Sequence, residues 1–125
     1  MCGWLDLPLS AAGELQLQCF RNQSSAFNLK AIYASSLLRA RITAETLACR
    51  WNVPLNLDPQ LREISCGTLE GVPVEEVKHS YPELWIENAL QTNNDFAWPH
   101  GETYTIFRNR IFNALSRIAD THPNA

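Results

Sequence analysis

Residues 31–45 read AIYASSLLRARITAE, and this stretch decides the fold that the sequence predicts. The apolar run at 31–34 has the length and the β-propensity of a short buried strand. Two serines follow it, where a strand would stop and a helix could be capped. An apolar stripe at helical spacing comes next: Ala40, Ala44, Leu47, Ala48 and Trp51. The stretch therefore predicts a strand, a tight turn and a helix.

The junction between this strand and this helix is a candidate anion site. The carboxyl end of a strand that leads into a helix is where α/β proteins bind anions, because backbone N–H groups and the helix dipole point there. Arg39 and Arg41 lie in the first turns of the predicted helix. A guanidinium there can hold phosphate through two parallel hydrogen bonds. The alternative is a pair of solvated surface arginines, which is the usual position of arginine on a helix.

The composition is that of one globular domain, and we expect residues 1–125 to form it. Hydrophobic residues make up 46% of the chain and charged residues 18%, which excludes the disordered class. The net charge of -3 argues against a nucleic-acid partner. The sequence contains neither an apolar run of membrane-spanning length nor a signal-peptide pattern. These features predict a cytoplasmic protein with no membrane partner.

The cysteines and histidines do not form a metal-binding pattern. The four cysteines include no C-x-x-C pair, and the three histidines are scattered, so we expect no zinc site and no other cofactor. In a cytoplasmic protein these cysteines would be reduced thiols. Cys19 and Cys49 fall on apolar faces of predicted helices, and we expect both in the core.

The regions before and after this stretch predict further short elements. Ser10 is a good N-cap for a helix that runs to about Phe27. Its predicted buried stripe comprises Ala12, Leu15, Cys19 and Phe20. Residues 55–58 alternate like a short strand, which Pro59 would end. The glycines within 61–71 predict a loop with unusual backbone conformations.

The second half of the sequence predicts mainly helices. Short helices are expected at Val74–His79 and Pro82–Leu90, followed by a long polar loop at Gln91–Gly101. The last helix would begin near Thr103 and end near His122. Its apolar stripe comprises Tyr104, Phe107, Ile111, Leu115 and Ile118.

The order of these elements predicts an α/β fold with few parallel strands flanked by helices. Two strands are too few, because three long helices and several short ones need a broader sheet to pack on. We therefore expect an incomplete sheet with exposed edges. Exposed edges pair readily with other strands, so a homodimer through them is also expected.

CGWLDLPLSAAG at 2–13 and IYASSLLRA at 32–40 are two early segments that resemble the histidine phosphatase superfamily, also called the phosphoglycerate-mutase-like family. CGWLDLPLSAAG at 2–13 is similar to the family segment just after its first catalytic motif. IYASSLLRA at 32–40 is similar to the segment that carries a phosphate-binding arginine. Cys2-Gly3-Trp4 resembles the mutases, whereas 35–44 resembles the broad phosphatase branch, including the α-ribazole phosphate phosphatases. The choice between mutase and phosphatase therefore stays open.

Two later segments extend the resemblance in the family order. LREI at 61–64, followed by GTLEG at 67–71, resembles the segment that carries the acid/base glutamate. PHGET at 99–103, followed by Arg108 and Arg110, resembles a later Pro…Gly-Glu-Ser/Thr…Arg pattern. Four matching segments in one order make a specific signal.

The resemblance implies phosphoryl transfer through a phosphohistidine, with arginines on the phosphate oxygens and a glutamate that protonates the leaving oxygen. Arg39 matches the phosphate-binding arginine and Glu63 the general acid/base. Cys2 and Gly3 match a turn whose backbone contacts substrate. Arg41 is a further substrate-binding candidate, although it lies about 200° around an ideal helix from Arg39. The expected ligand is a phosphorylated small molecule or inorganic phosphate, with no metal.

The chain departs from the family pattern at both ends. Neither the Arg-His-Gly-Glu motif nor the Ser/Thr-His-Gly motif occurs in the sequence. His100 is followed by Gly-Glu-Thr, but it belongs to the later pattern, and the segment before it is a poor strand. We therefore expect a three-layer family fold that is truncated at both ends and inactive alone. The alternative is a non-catalytic module that binds phosphate or another protein.

Overall fold

The computed structural model describes residues 1–23 and 28–123. Its strands are β1 (Ile32–Ala34) and β2 (Leu55–Leu57). Short 3-10 turns occupy Pro59–Leu61 and Gly67–Leu69. The helices are α1 (Ala11–Gln23), α2 (Leu38–Trp51), α3 (Val74–Ser80), α4 (Pro82–Leu90) and α5 (Tyr104–Thr121). The predicted order of elements is confirmed within the described residues.

The two strands form a small parallel sheet, with Ile32 opposite Leu55 and Ala34 opposite Leu57. Helix α2 connects them, as a parallel pair requires. Backbone hydrogen bonds extend the pairing by one residue at each end, from Ile32 N to the Pro54 oxygen and from Asp58 N to the Ala34 oxygen, both 2.9 Å. The predicted α/β class with few parallel strands and many helices is confirmed.

Helix α2 presents the predicted stripe. Ala44 and Ala48 are buried, and Ala40, Leu47 and Trp51 are half-buried. At its end Asn52 adopts a left-handed conformation, with φ 53°, and donates its backbone N–H to the Ala48 oxygen. Such a left-handed residue commonly ends a helix.

The predicted buried face of α1 is wrong. Ala12 and Cys19 are exposed, Leu15 is 62% exposed and Phe20 is 51% exposed. The half-buried residues are instead Gly13 and Leu17, and Leu17 lies about 200° around the helix from Leu15. Apolar residues occur on both faces of α1, so periodicity alone selected the wrong one. The predicted end at Phe27 lies outside the described residues.

The predicted burial of Cys49 is also wrong, because its side chain is exposed. It follows the buried Ala48 by one residue, which places it about 100° around the helix from Ala48 and outside the buried stripe. The start of α1 is correct. The Ser10 Oγ accepts a hydrogen bond from Gly13 N at 3.1 Å, which is the predicted N-cap.

The chain divides into two compact units. The first, residues 1–5 and 63–117, has a core of Cys66, Leu69, Val77, Phe96 and Trp98. The predicted loop after α4 supplies two of these residues, whose rings meet edge to face with centroids 5.1 Å apart. The second unit comprises residues 6–62 and 118–125 and contains α1, α2 and the sheet. That the whole chain forms one domain stays a prediction.

Helix α5 follows its predicted stripe only in part. Ala114 is fully buried, and four stripe residues are half-buried: Tyr104, Phe107, Ile111 and Ile118. Leu115, predicted to be buried, is 53% exposed, and its neighbour Phe112 is 70% exposed. Within the described ranges, no helix combines the length and the apolar character needed to cross a membrane.

Candidate functional site

The turn at Cys2 and Gly3 requires glycine at its second residue. Leu5 N donates to the Cys2 oxygen at 2.8 Å, and Gly3 has φ +47°, a left-handed conformation that favours glycine. A Cβ on Gly3 would lie 2.6 Å from Glu70 Oε1 and 2.9 Å from Cys66 N. The Cys2 side chain is exposed. The residues that the resemblance assigns to a substrate-contacting turn thus form a tight turn against the 63–71 loop.

The Glu70 carboxylate holds this turn and the loop together. Its Oε1 accepts hydrogen bonds from Trp4 N at 2.9 Å, Cys66 N at 3.1 Å and the Ser65 hydroxyl at 3.1 Å. A carboxylate whose one oxygen accepts three hydrogen bonds has a structural role. Glu70 therefore has a structural position between the turn and the loop.

Glu63 has an exposed side chain on a firmly held backbone. Its carbonyl oxygen accepts two side-chain hydrogen bonds, from Trp4 Nε1 at 2.7 Å and from Arg110 Nη2 at 2.7 Å. A carbonyl oxygen has two lone pairs, so both are used. The candidate acid/base is thus presented from a backbone position that two other segments of the unit determine.

Arg110 is itself held by a buried ion pair with Glu102. Arg110 Nε lies 2.6 Å from Glu102 Oε1, and Nη2 lies 2.8 Å from Oε2, which is a bidentate arrangement. The two side chains are only 11% and 8% exposed. The guanidinium also lies 4.9 Å from the ring centroid of Phe107 and 5.9 Å from that of Trp4. Glu102 thus orients Arg110.

The 63–71 loop packs backbone to backbone on the 98–102 turn. Gly67 has φ +56°, and a Cβ there would come within 2.2 Å of the Pro99 oxygen. Thr68 N donates to the Pro99 oxygen at 3.0 Å, and Glu102 N donates to the Ser65 oxygen at 3.1 Å. His100 is exposed in this turn with φ +59°. It therefore does not follow a strand, as a nucleophile motif in this family would.

Cys66 is the one predicted reduced thiol that the structure buries, at 4% exposure. Burial and the nearby Glu63 and Glu70 carboxylates raise the pKa of its thiol from 9.0 to about 11. A thiol with such a pKa stays protonated near neutral pH and is a poor nucleophile. Cys66 is a core residue of the loop and not a reactive group.

Arg39 and Arg41 lie in the second unit, in the first turn of α2. The Arg39 side chain is half-buried, and its backbone oxygen accepts a hydrogen bond from the Thr43 hydroxyl at 2.9 Å. Arg41 Nε lies 3.6 Å from Glu45 Oε1, one helical turn further on. Arg41 therefore has a carboxylate neighbour on its own helix.

The start of α2 is not capped as the sequence predicts. The N-cap residue is Leu37, which has no side-chain capping bond, and Ser35 Oγ accepts from Leu37 N at 3.2 Å. The first helical amide, Leu38 N, donates to Asp6 Oδ1 at 2.5 Å. A protein carboxylate thus occupies the helix N-terminus, because it is attracted to the dipole as a phosphate would be.

The other two histidines are His122, in the second unit, and His79, in the first. The His122 Nε2 and the Tyr33 hydroxyl are 3.0 Å apart beside a cavity of about 530 Å³, whose lining includes neither Arg39 nor Glu63. His79 is exposed in the last turn of α3. In the part of the chain that the structure describes, no group of three acidic, histidine or cysteine side chains is arranged to hold a metal ion.

Comparison with known proteins shows the family to which the chain belongs. The model of the histidine phosphatase superfamily (branch 1) matches residues 1–125. The chain belongs to this superfamily. The chain is similar to the probable phosphoglycerate mutase GpmB of Escherichia fergusonii, at 31% identity over 91% of this chain and 53% of that protein.

Other known proteins are similar to the chain in sequence and in fold. Phosphoserine phosphatase 1 of Hydrogenobacter thermophilus is 30% identical over 98% of this chain and 57% of its own length. The structure of Bacillus stearothermophilus YhfR superposes with a TM-score of 0.86 at 31% identity, over 99% of this chain and 61% of that one. The chain thus spans a little over half the length of the curated relatives it matches. The phosphoglycerate-mutase-like fold predicted from the resemblance is confirmed.

Three residues that hold candidate residues in place, each within its own unit, were missed in the sequence. Trp4 and Arg110 hold the Glu63 backbone, and Asp6 occupies the start of α2. Arg110 was noticed only as part of a family pattern, and Asp6 only as part of a matching segment. No local signal could reveal their contacts, because each joins residues that are at least 32 positions apart.

Proposed function

We propose that the protein, in its complete form, transfers phosphoryl groups from phosphomonoesters. Membership of the histidine phosphatase superfamily supports this, and so do relatives named as a probable phosphoglycerate mutase and a phosphoserine phosphatase. Both names refer to small phosphomonoesters, so the proposed substrate class is a phosphorylated small molecule. The superfamily resemblance supplies the chemistry, in which the phosphoryl group passes to a histidine and then to water or to a second acceptor.

Each site residue has a proposed role. Arg39 binds the phosphate oxygens and stabilises the charge spread over them in the transition state. Glu63 gives its carboxyl proton to the leaving oxygen as the P–O bond breaks. Cys2 and Gly3 contact the substrate through their backbone. Arg41 adds positive charge, which Glu45 partly offsets.

The observation that carries the proposal is the setting of Glu63. Its carbonyl oxygen is held by two donors at 2.7 Å, while its carboxyl group is exposed. A general acid must reach the leaving oxygen of a bound substrate from a defined position. An exposed carboxyl on a fixed backbone meets that need.

The experiment compares two leaving groups in the protein as its gene encodes it. An alkyl phosphate needs a proton on its leaving oxygen, whereas p-nitrophenolate leaves without one. We expect Glu63→Gln to lower kcat on the alkyl phosphate by about 100-fold or more and kcat on p-nitrophenyl phosphate far less. The control Glu76→Gln removes an exposed carboxylate of α3 and should change neither. Equal losses for Glu63→Gln, or no turnover by the encoded protein, would contradict the proposal.

The 125-residue chain alone is proposed to be inactive. None of its three histidines stands in an Arg-His-Gly or a Ser/Thr-His-Gly motif. Incubation of the purified chain with p-nitrophenyl phosphate should release no product above buffer. Turnover by the chain that disappears in Arg39→Ala would show that it carries its own nucleophile.

A further inference from the structure

We infer that Arg110 and Trp4 are positioning residues for the proposed acid Glu63, with Glu102 as the anchor of Arg110. This inference rests on the proposed function of Glu63. All four residues lie in the unit formed by residues 1–5 and 63–117. The argument starts from the Glu63 carbonyl oxygen, which both Trp4 Nε1 and Arg110 Nη2 contact at 2.7 Å.

Arg110 makes contacts that only an arginine can combine. Its Nε and Nη2 bind the two oxygens of Glu102 at 2.6 and 2.8 Å, and the same Nη2 reaches the Glu63 oxygen. The planar guanidinium also lies against the rings of Phe107 and Trp4. A lysine ammonium keeps the charge but cannot form a bidentate pair and a third hydrogen bond in this plane.

The anchor is rigid because Glu102 is buried and multiply bonded. Glu102 is 9% exposed, and besides Arg110 its Oε2 accepts from Ser65 N at 3.4 Å. Its own backbone N–H donates to the Ser65 oxygen at 3.1 Å. Ser65 is two residues after Glu63, so Glu102 and Arg110 together restrain the backbone on which the acid stands.

Trp4 links the acid to the substrate-contacting turn. It follows Gly3 directly, its backbone N–H donates to Glu70, and its indole N–H donates to Glu63. A shift of the Glu63 backbone is therefore coupled to the turn at Gly3. Misplacement of a catalytic group by about 1 Å can cost about 100-fold in rate, so such restraints matter for turnover.

The first test observes the geometry without catalysis. The two-dimensional ¹H–¹⁵N NMR spectrum of the 125-residue chain should contain one indole signal for each of its four tryptophans, and Trp4→Phe identifies that of Trp4. Arg110→Lys should shift the Trp4 indole signal and the Ile64 amide, which reports on the Glu63 carbonyl. The matched control is Arg108→Lys, on the same helix, where the arginine is exposed and bonds Asn94. Arg108→Lys should leave the Trp4 indole signal and the Ile64 amide signal in place. If Arg110→Lys also leaves both signals unchanged, the inference is overturned.

The second test asks whether the restraint serves the acid. In the protein as its gene encodes it, Arg110→Lys and Trp4→Phe should lower kcat on an alkyl phosphate about tenfold more than kcat on p-nitrophenyl phosphate, with KM little changed. Trp4→Phe removes only the indole N–H donor to the Glu63 oxygen and keeps the Glu102–Arg110 pair. This variant should therefore fold even if Arg110→Lys does not. Equal losses on both substrates would indicate a merely structural role and overturn the inference.

These outcomes separate the two claims. If Glu63→Gln shows no dependence on the leaving group, the proposed function fails, whatever the NMR spectrum shows. If Glu63→Gln shows the dependence but Arg110→Lys and Trp4→Phe do not, the proposed function stands and the positioning role is wrong.

Discussion

The carboxylate of Asp6 accepts a hydrogen bond from the backbone amide of Leu38 at 2.5 Å, across 32 residues of sequence. Leu38 is the first residue of α2, the helix that carries Arg39. The contact satisfies an amide that has no partner within the helix and places negative charge at the positive end of its dipole. The start of the helix is thus fixed by a residue that lies before α1.

Asp6→Ala should therefore destabilise the second unit by about 1 kcal/mol, the usual cost of losing a capping carboxylate or hydroxyl. Asp6→Asn keeps an acceptor but loses the charge, so it should cost less. Thermal unfolding of the two variants and the wild type measures this order. An Asp6→Ala variant as stable as the wild type would show that the hydrogen bond contributes nothing.

Gly3→Ala should destabilise the first unit by at least about 1–3 kcal/mol, because a residue with a side chain is strained at φ +47°. The new Cβ would also press on Glu70 Oε1, 2.6 Å away. Gly13→Ala is the matched control. Gly13 lies in α1 with 3.5 Å of space, so alanine there should raise stability by about 0.5–1 kcal/mol. Equal changes in the unfolding midpoint for the two variants would contradict the description of the turn.

The thiol of Cys66 should react much more slowly than the other three. At pH 8 a maleimide should label the exposed Cys2, Cys19 and Cys49 quickly, and Cys66 only after denaturation. Mass spectrometry of the labelled chain counts the modified sites. Fast labelling of Cys66 in the folded chain would show that the loop opens readily.

The raised pKa of Cys66 also predicts a pH dependence of stability. The unfolded thiol ionises near pH 9.0 and the folded one near 11, so between these values the unfolded state has lost more protons. The free energy of unfolding should therefore fall as pH rises from about 9 to about 11. Cys66→Ala removes the titrating group and should flatten this part of the curve. If the free energy of unfolding of Cys66→Ala falls with pH as steeply as that of the wild type, other titrating groups cause the loss of stability.

The proposed association through sheet edges predicts a mass that rises with concentration. Both strands of the described sheet are edge strands, and Leu57 on β2 is 42% exposed. Leu57→Lys places a charge on that edge and should shift the chain toward the monomer in sedimentation equilibrium. Leu115→Lys is the control, since it removes an exposed apolar residue from α5 without touching the sheet. A shift in the control alone would assign the association to the helix.

The parts of the fold that follow from local pattern were predicted correctly. Helix α2 has one apolar face and a strand on each side, so its place in the chain and its apolar stripe could be predicted from the sequence, although Cys49 was wrongly expected in the core. Helix α1 carries Leu15 and Leu17 on opposite faces, and only its packing decides between them. Periodicity fails where two faces are equally apolar.

The candidate site depends on contacts between distant residues, and these could not be predicted. Trp4 and Arg110 reach the Glu63 oxygen from 59 and 47 residues away. Neither side chain has a pattern in sequence that indicates its partner. The resemblance indicated Glu63 and Arg39 as candidates, but only the folded backbone indicates what holds the first of them in position.

The binding of inorganic phosphate to the 125-residue chain tests the central claim most directly, that Arg39 is its phosphate-binding arginine. Titration of phosphate into the wild type, Arg39→Ala and Arg50→Ala gives three dissociation constants. Arg50 is exposed at the other end of α2 and serves as the matched control. We expect Arg39→Ala to weaken binding by about tenfold or more, the contribution of a charge-assisted hydrogen bond, and Arg50→Ala to have no effect. Equal affinity in all three proteins would contradict the assignment of Arg39.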